Sequence, residues 1–140
     1  MNKLFNIDFK TNTVSNVLLI LRIGIATFML VHGLPKLQML FSGEIQFPGV
    51  MGMSPTFSLA LTVLSEVVCS ILILIGLGTR LASIPLIITM LVAVFLIHGN
   101  DPFSKQELGL HYLLIYIVLF ILGSGKYSFD AIIQNYLIKK

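Results

Sequence analysis

The residues of this 140-residue chain best suited to chemistry are charged and imidazole side chains within or beside apolar runs. Arg22 lies inside the run from Val14 to His32, and Glu66 inside the run from Phe57 to Leu77. An ionisable group at the centre of a membrane helix costs at least ~2.5–3.5 kcal/mol on insertion scales, so each needs a reason to be there. At 1.5 Å per helical residue, Arg22 lies about 15 Å from His32 and Glu66 about 13.5 Å from Phe57. Similar depth and opposite charge predict an Arg22–Glu66 pair between antiparallel neighbours. Such a pair either orients two helices or floors a polar cavity.

A second set, His32, Lys36, His98, Asp101, Glu107 and His111, sits at the ends of apolar runs. If the runs alternate in direction, all of these residues share one side of the membrane. The candidate ligand-binding residues are therefore Arg22, His32, Lys36, Glu66, His98 and His111, with Thr62, Cys69, Arg80, Asp101 and Tyr112 as polar support. Taken singly, each histidine also suits an interfacial or capping place. Thr62, Ser65, Glu66, Cys69 and Ser70 follow helical spacing and share one face. That face looks into the bundle, either lining a cavity or letting helices approach closely. Tyr112 and Tyr116, four apart, either flank the pocket or belong to an aromatic belt.

Composition dictates the elements that hold these residues. Apolar residues make up 56% of the chain and charged ones 11%, against about 25% charged in soluble domains. Too few charges remain to cover a soluble globule, and disorder, collagen, a coiled coil and a disulfide scaffold are excluded as well. Apolar runs at about 14–32, 57–77, 81–98 and 108–124 suit a bilayer core of ~30 Å. They do not alternate as barrel strands would, so helices satisfy their backbones. The expected fold is all-α: an antiparallel bundle of four transmembrane helices in one domain, 1–140, with a C-terminal interfacial amphipathic helix over Ser128–Lys140. Gly76-Leu77-Gly78-Thr79-Arg80 reads as a tight turn, and Pro85 falls in the first turn or so of the third helix. The apolar, Gly- and Pro-rich stretch Gly33–Thr56 reads as a segment packed on the bundle end or dipping into the interface.

Lys3, Lys10, Arg80, Lys126, Lys139 and Lys140 fall on one side of these spans, and Lys36 and Lys105 on the other. The positive-inside rule then puts both termini in the cytoplasm. No short apolar core with a small-residue cleavage site marks Met1–Thr13 as a signal peptide. The single Cys69 forms no intrachain disulfide and cannot run a thiol relay, which needs a cysteine pair. With a net charge of +3 and no basic run interleaved with aromatics, nothing points to nucleic acid. Gly24, Ala26 and Gly76 suit packing within the chain or in a homo-oligomer.

The order and spacing of several short motifs are distinctive. Arg22-Ile23-Gly24 is followed by His32-Gly33-Leu34-Pro35-Lys36-Leu37, Phe47-Pro48-Gly49, Glu66 and Gly76-Leu77-Gly78-Thr79-Arg80, and then by Gly125-Lys126-Tyr127-Ser128-Phe129-Asp130. From Leu21 to Asp130 the chain resembles the DoxX family of small four-helix membrane proteins. The resemblance implies a bundle in the bacterial inner membrane, with Arg22, His32, Lys36, Glu66 and Arg80 at matched positions. His98 and His111 join the site on the spatial argument alone. Family members are linked to quinone-related sulfur oxidation and to membrane complexes handling oxidative or thiol stress.

Two functions are then expected. One is a redox-associated accessory that binds a quinone or similar small amphiphile in the pocket. The other is a non-catalytic interaction subunit of a multiprotein complex, docking a membrane or periplasmic partner. No self-sufficient catalytic motif is present, and without CxxC or iron–sulfur spacing any redox role needs a partner or bound cofactor. Haem or a metal on His32, His98 and His111 is the weakest expectation, because those residues come from three segments without diagnostic spacing.

Overall fold

The computed structural model describes residues 10–138, so Lys3, Lys139 and Lys140 of the charge-asymmetry argument lie outside the described residues. Among the described residues, four helices are long and apolar enough to cross a membrane: α1 (Thr11–Ser42), α2 (Pro55–Ile75), α3 (Thr79–Ile97) and α4 (Phe103–Leu122). A short helix, α5 (Phe129–Ile138), follows. Among the described residues there is no strand. The upper end of the bundle carries the 43–54 and 98–102 connections, and the lower end the 76–78 turn and the 123–128 loop.

Local chemistry sets the helix limits. Ser54 caps α2, its hydroxyl accepting from the Phe57 N–H at 3.3 Å, and Pro55 takes the first helical position, where no N–H is needed. At the lower end Gly76 adopts φ 72°, and the Leu77 N–H reaches back to the Leu72 carbonyl at 2.9 Å, closing α2 in the manner that favours glycine. Pro85 lies six residues beyond Thr79, in the second turn of α3 and two residues deeper than a start at Leu81 would put it.

The main departure from the sequence reading is α1. It does not stop at His32 but continues through Gly33 and Pro35 to Ser42. Pro35 removes one backbone donor, a loss a helix sheltered by its neighbours tolerates. His32 and Lys36 therefore lie along a helix, not in a loop. Two turns are also widened to π geometry, Leu64–Cys69 in α2 and Val92–Ile97 in α3. The core between the helices contains Ile25, Ala26, Met29, Ile73, Leu86, Tyr116 and Leu119. Ile20, Phe28, Val31 and Leu81 point outward, as expected for surfaces that meet acyl chains.

Candidate functional site

The site begins where α1 crosses α2. Gly33 is buried there, and a Cβ on it would come within 2.8 Å of Val67 Cγ2 and 3.1 Å of the Glu66 backbone carbon. The missing side chain lets the two backbones meet beside Glu66. One turn further along α1, Lys36 Nζ donates to Glu66 Oε1 at 2.5 Å and to Oε2 at 2.6 Å. The partners differ in solvent access: the Lys36 side chain is 29% exposed and the Glu66 side chain 4%. Glu66 sits in the widened turn of α2, where Ser65, Val67 and Cys69 are buried too. Such turns add a residue to the helix repeat and recur at functional sites.

Beside this pair lies a cavity of about 170 Å³. His32 and Lys36 of α1, Glu66 of α2, His98 and α4's Lys105 and Tyr112 supply its polar lining, and Met29, Met90, Val94 and Leu108 its apolar lining. Gly109 lets α4 lie against Val94, since a Cβ there would fall 2.6 Å from Val94 Cγ2. The second widened turn forms part of the wall: the His98 N–H reaches five residues back to the Ala93 carbonyl at 2.9 Å, and Ala93, Val94 and His98 all line the cavity.

Aromatic and polar contacts fix the lining. The His32 ring meets Tyr112 edge to face at 5.8 Å between centroids, and Tyr112 stacks on Tyr116 at 6.2 Å. His98 Nδ1 lies 2.7 Å from Asp101 Oδ2, and Lys105 Nζ lies 3.7 Å from the same oxygen. Gln106 Nε2 donates to the His98 carbonyl at 2.8 Å and the Asp101 carbonyl at 3.2 Å, pinning the 98–102 connection to α4. The hydrogen bond from His98, with Lys105 nearby, holds the Asp101 carboxyl below the usual carboxylate range.

Three of the expected placements are corrected. Arg22 does not pair with Glu66. Its Nη1 donates to the Ile73 carbonyl at 3.2 Å and its Nη2 to the Tyr127 carbonyl at 2.5 Å. The reason is the length of α1: Arg22 and Lys36 are about 21 Å apart along the helix axis, so the arginine belongs to the lower end and the lysine reaches the carboxylate. Gly76 makes room for the guanidinium, and Asp130 locks the same end by accepting from the Gly78 and Thr79 N–H groups at 2.7 and 3.3 Å. His111 is exposed, with Nδ1 2.8 Å from the Glu107 carbonyl, and does not line the cavity. Thr62 bonds the Ser58 carbonyl at 2.8 Å and borders a separate groove between α2 and α3.

Of the remaining supporting residues, Cys69 is buried in the core and Arg80 Nη2 donates to the Ile121 carbonyl at 3.1 Å, at the end of α4. Among the described residues, no three His, Cys, Asp or Glu side chains converge as a metal-ligand set. Lys105 and Gly109 were missed as lining residues. Their signal was present, since Lys105, Gly109 and Tyr112 recur at helical spacing on one face of α4.

Comparison with known proteins agrees with this architecture. The family model described as DoxX matches residues 17–99, more than half of the chain and including His32, Lys36, Glu66 and His98. A protein of Bacillus subtilis (strain 168) named "Putative oxidoreductase CatD" is 30% identical over 116 residues, which cover 82% of this chain and 85% of the relative. No solved structure matches the chain. With the family motif running through the helices that build the crossing, the chain belongs to the DoxX family.

Proposed function

We propose that this DoxX protein binds the oxygenated ring of a quinone, or of a similar small amphiphile, in the cavity lined by Lys36 and Glu66, and serves as a redox-associated accessory. The observation that carries the reading is the buried Glu66 carboxylate, held by Lys36 on the wall of an open cavity. A pair kept only for packing has no need of a cavity against it. At about 170 Å³ the cavity is below the ~300 Å³ typical of drug-sized ligand sites, which suits a single head group with its tail left in lipid. The lysine ammonium groups can donate to ring oxygens, and Met29, Met90 and Leu108 offer apolar contact. The name of the Bacillus relative is consistent with redox work. The chain's single cysteine leaves electron exchange to the bound ring and a partner.

We place the cavity on the outer face of the bacterial inner membrane, with both termini in the cytoplasm. Lys10, Arg80 and Lys126 at the lower end support that orientation. Helix α5 then lies along the cytoplasmic interface, where Ile132, Ile133, Tyr136 and Leu137, all exposed, meet lipid.

The test is equilibrium binding of duroquinone to the protein in lipid nanodiscs, with empty nanodiscs as the reference. Saturable binding is expected in the wild type, weakened at least fivefold by His32→Ala or Tyr112→Phe and unchanged by Thr62→Ala. Uptake equal to that of empty nanodiscs, or equal binding in all variants, would overturn the proposal and favour an interaction subunit.

A further inference from the structure

The hydrogen-bonding capacity of the cavity wall is not symmetric. Lys36 and Lys105 are donors only. Glu66, paired with Lys36, presents oxygens that only accept. His98 is the decisive group. Its Nδ1 lies 2.7 Å from Asp101 Oδ2, and an ionised carboxylate can only accept, so Nδ1 carries the proton. In the neutral ring Nε2 is then a bare lone pair. It is the ring nitrogen left for a ligand in the cavity that His98 lines.

A quinone offers carbonyl lone pairs alone. Those satisfy the lysines but turn a lone pair toward His98 Nε2 and leave that acceptor unbonded, whereas the Glu66 oxygens already accept from Lys36. A hydroquinone has the same ring and size, and its hydroxyl groups both donate and accept. It can give an O–H to Nε2 while its oxygens take hydrogen bonds from the lysines. A site arranged to bond a hydroxyl discriminates against the analogue that lacks it, because a ring seated over Nε2 leaves that acceptor unpaired. The His98 side chain is 40% exposed in the free protein, so the discrimination is moderate.

We infer that the cavity selects the reduced, hydroxyl-bearing form of its ligand, with His98 Nε2 accepting the ligand's O–H and Asp101 acting as the positioning residue that fixes the imidazole tautomer. This rests on the reading above that the cavity takes an oxygenated ring. It adds which oxidation state the protein holds.

The experiment measures dissociation constants for duroquinone and for its hydroquinone, anaerobically at pH 8, in the same nanodiscs. The hydroquinone is expected to bind the wild type at least tenfold more tightly. Asp101→Asn removes the obligation on Nδ1, because an amide can donate as well as accept. In that variant, and in His98→Ala, the ratio of the two constants is expected to fall at least threefold toward unity while quinone binding persists. A purely structural role for Asp101 would weaken both forms alike and leave the ratio unmoved. Equal affinities in the wild type, tighter quinone binding, or a ratio that survives both substitutions would overturn the inference and leave the cavity reading standing. Binding of neither form would overturn both.

Discussion

The unequal burial of the Lys36–Glu66 pair makes the two halves of the ion pair differ in what their loss costs. Lys36→Met leaves a carboxylate that is 4% exposed without its cation. Breaking a buried pair from one side costs about 3–5 kcal/mol. The cavity beside Glu66 admits water, so the lower end applies, about 3 kcal/mol. Glu66→Ala strands the lysine instead, and that side chain is already 29% exposed. Lys36 lies six residues from the upper end of α1 at Ser42, about 9 Å along the axis, so its flexible stem can carry the ammonium toward the interface. The cost falls to about 1–2 kcal/mol, mostly from lost contact. Lys36→Met combined with Glu66→Gln removes both charges and is expected to fall within about 1 kcal/mol of the wild type. Unfolding free energies of the four proteins, measured in one bilayer mimetic by steric trapping, decide the matter. The reasoning is refuted if Glu66→Ala costs as much as Lys36→Met, or if the double variant is no better than Lys36→Met alone.

Three further outcomes follow from the geometry. Gly33→Ala drives a methyl group into Val67 and the Glu66 backbone, and should cost about 1–3 kcal/mol while weakening duroquinone binding, read as stability and affinity in parallel. Gly76→Ala places a methyl group inside the Arg22 guanidinium at φ 72° and should cost about 3 kcal/mol or more, yet leave ligand affinity per folded molecule unchanged, because the lower end is remote from the cavity. Asp101 has its carboxyl held low in the folded chain, so its stabilising contribution is complete above the unfolded value near pH ~4 and is lost as pH falls through the lower folded value. Amide exchange over His98–Gln106 should therefore quicken, after correction for intrinsic rates, only below about pH 4, and this step should vanish in Asp101→Asn.

Much of the architecture was legible because lipid constrains it so tightly. Continuous apolar runs leave the backbone little choice but helix, and Gly76 and Ser54 mark limits that a sequence can reveal. The buried stripe of α2 was legible for the same reason, because Ser65, Glu66, Cys69 and Ser70 cannot all be given to acyl chains. The partner of Glu66 was not. Gly33 and Pro35 carry the usual signals for a helix end in water, and reading them so shortened α1 and placed Arg22 too close to the upper surface. Inside a bundle the same glycine serves as a crossing point, and the proline is tolerated. His111 was misjudged through helix phase. Tyr112, Tyr116 and Leu119 define the buried face of α4, and His111 lies about 100° away from Tyr112 around the axis. The two widened turns left no trace in composition, because they depend on how neighbouring helices pack against the 64–69 and 92–97 segments.

The central claim is that a ligand ring occupies the space between His32, Glu66, His98 and Tyr112. Photoaffinity labelling with an azido-quinone in native membranes, followed by peptide mapping, tests it most directly. The account expects adducts on the α1 segment around His32–Lys36 and on α4 near Tyr112, competed away by duroquinone. Adducts confined to outward residues such as Phe28, Val31 and Leu81, or labelling that excess duroquinone leaves unchanged, would contradict it.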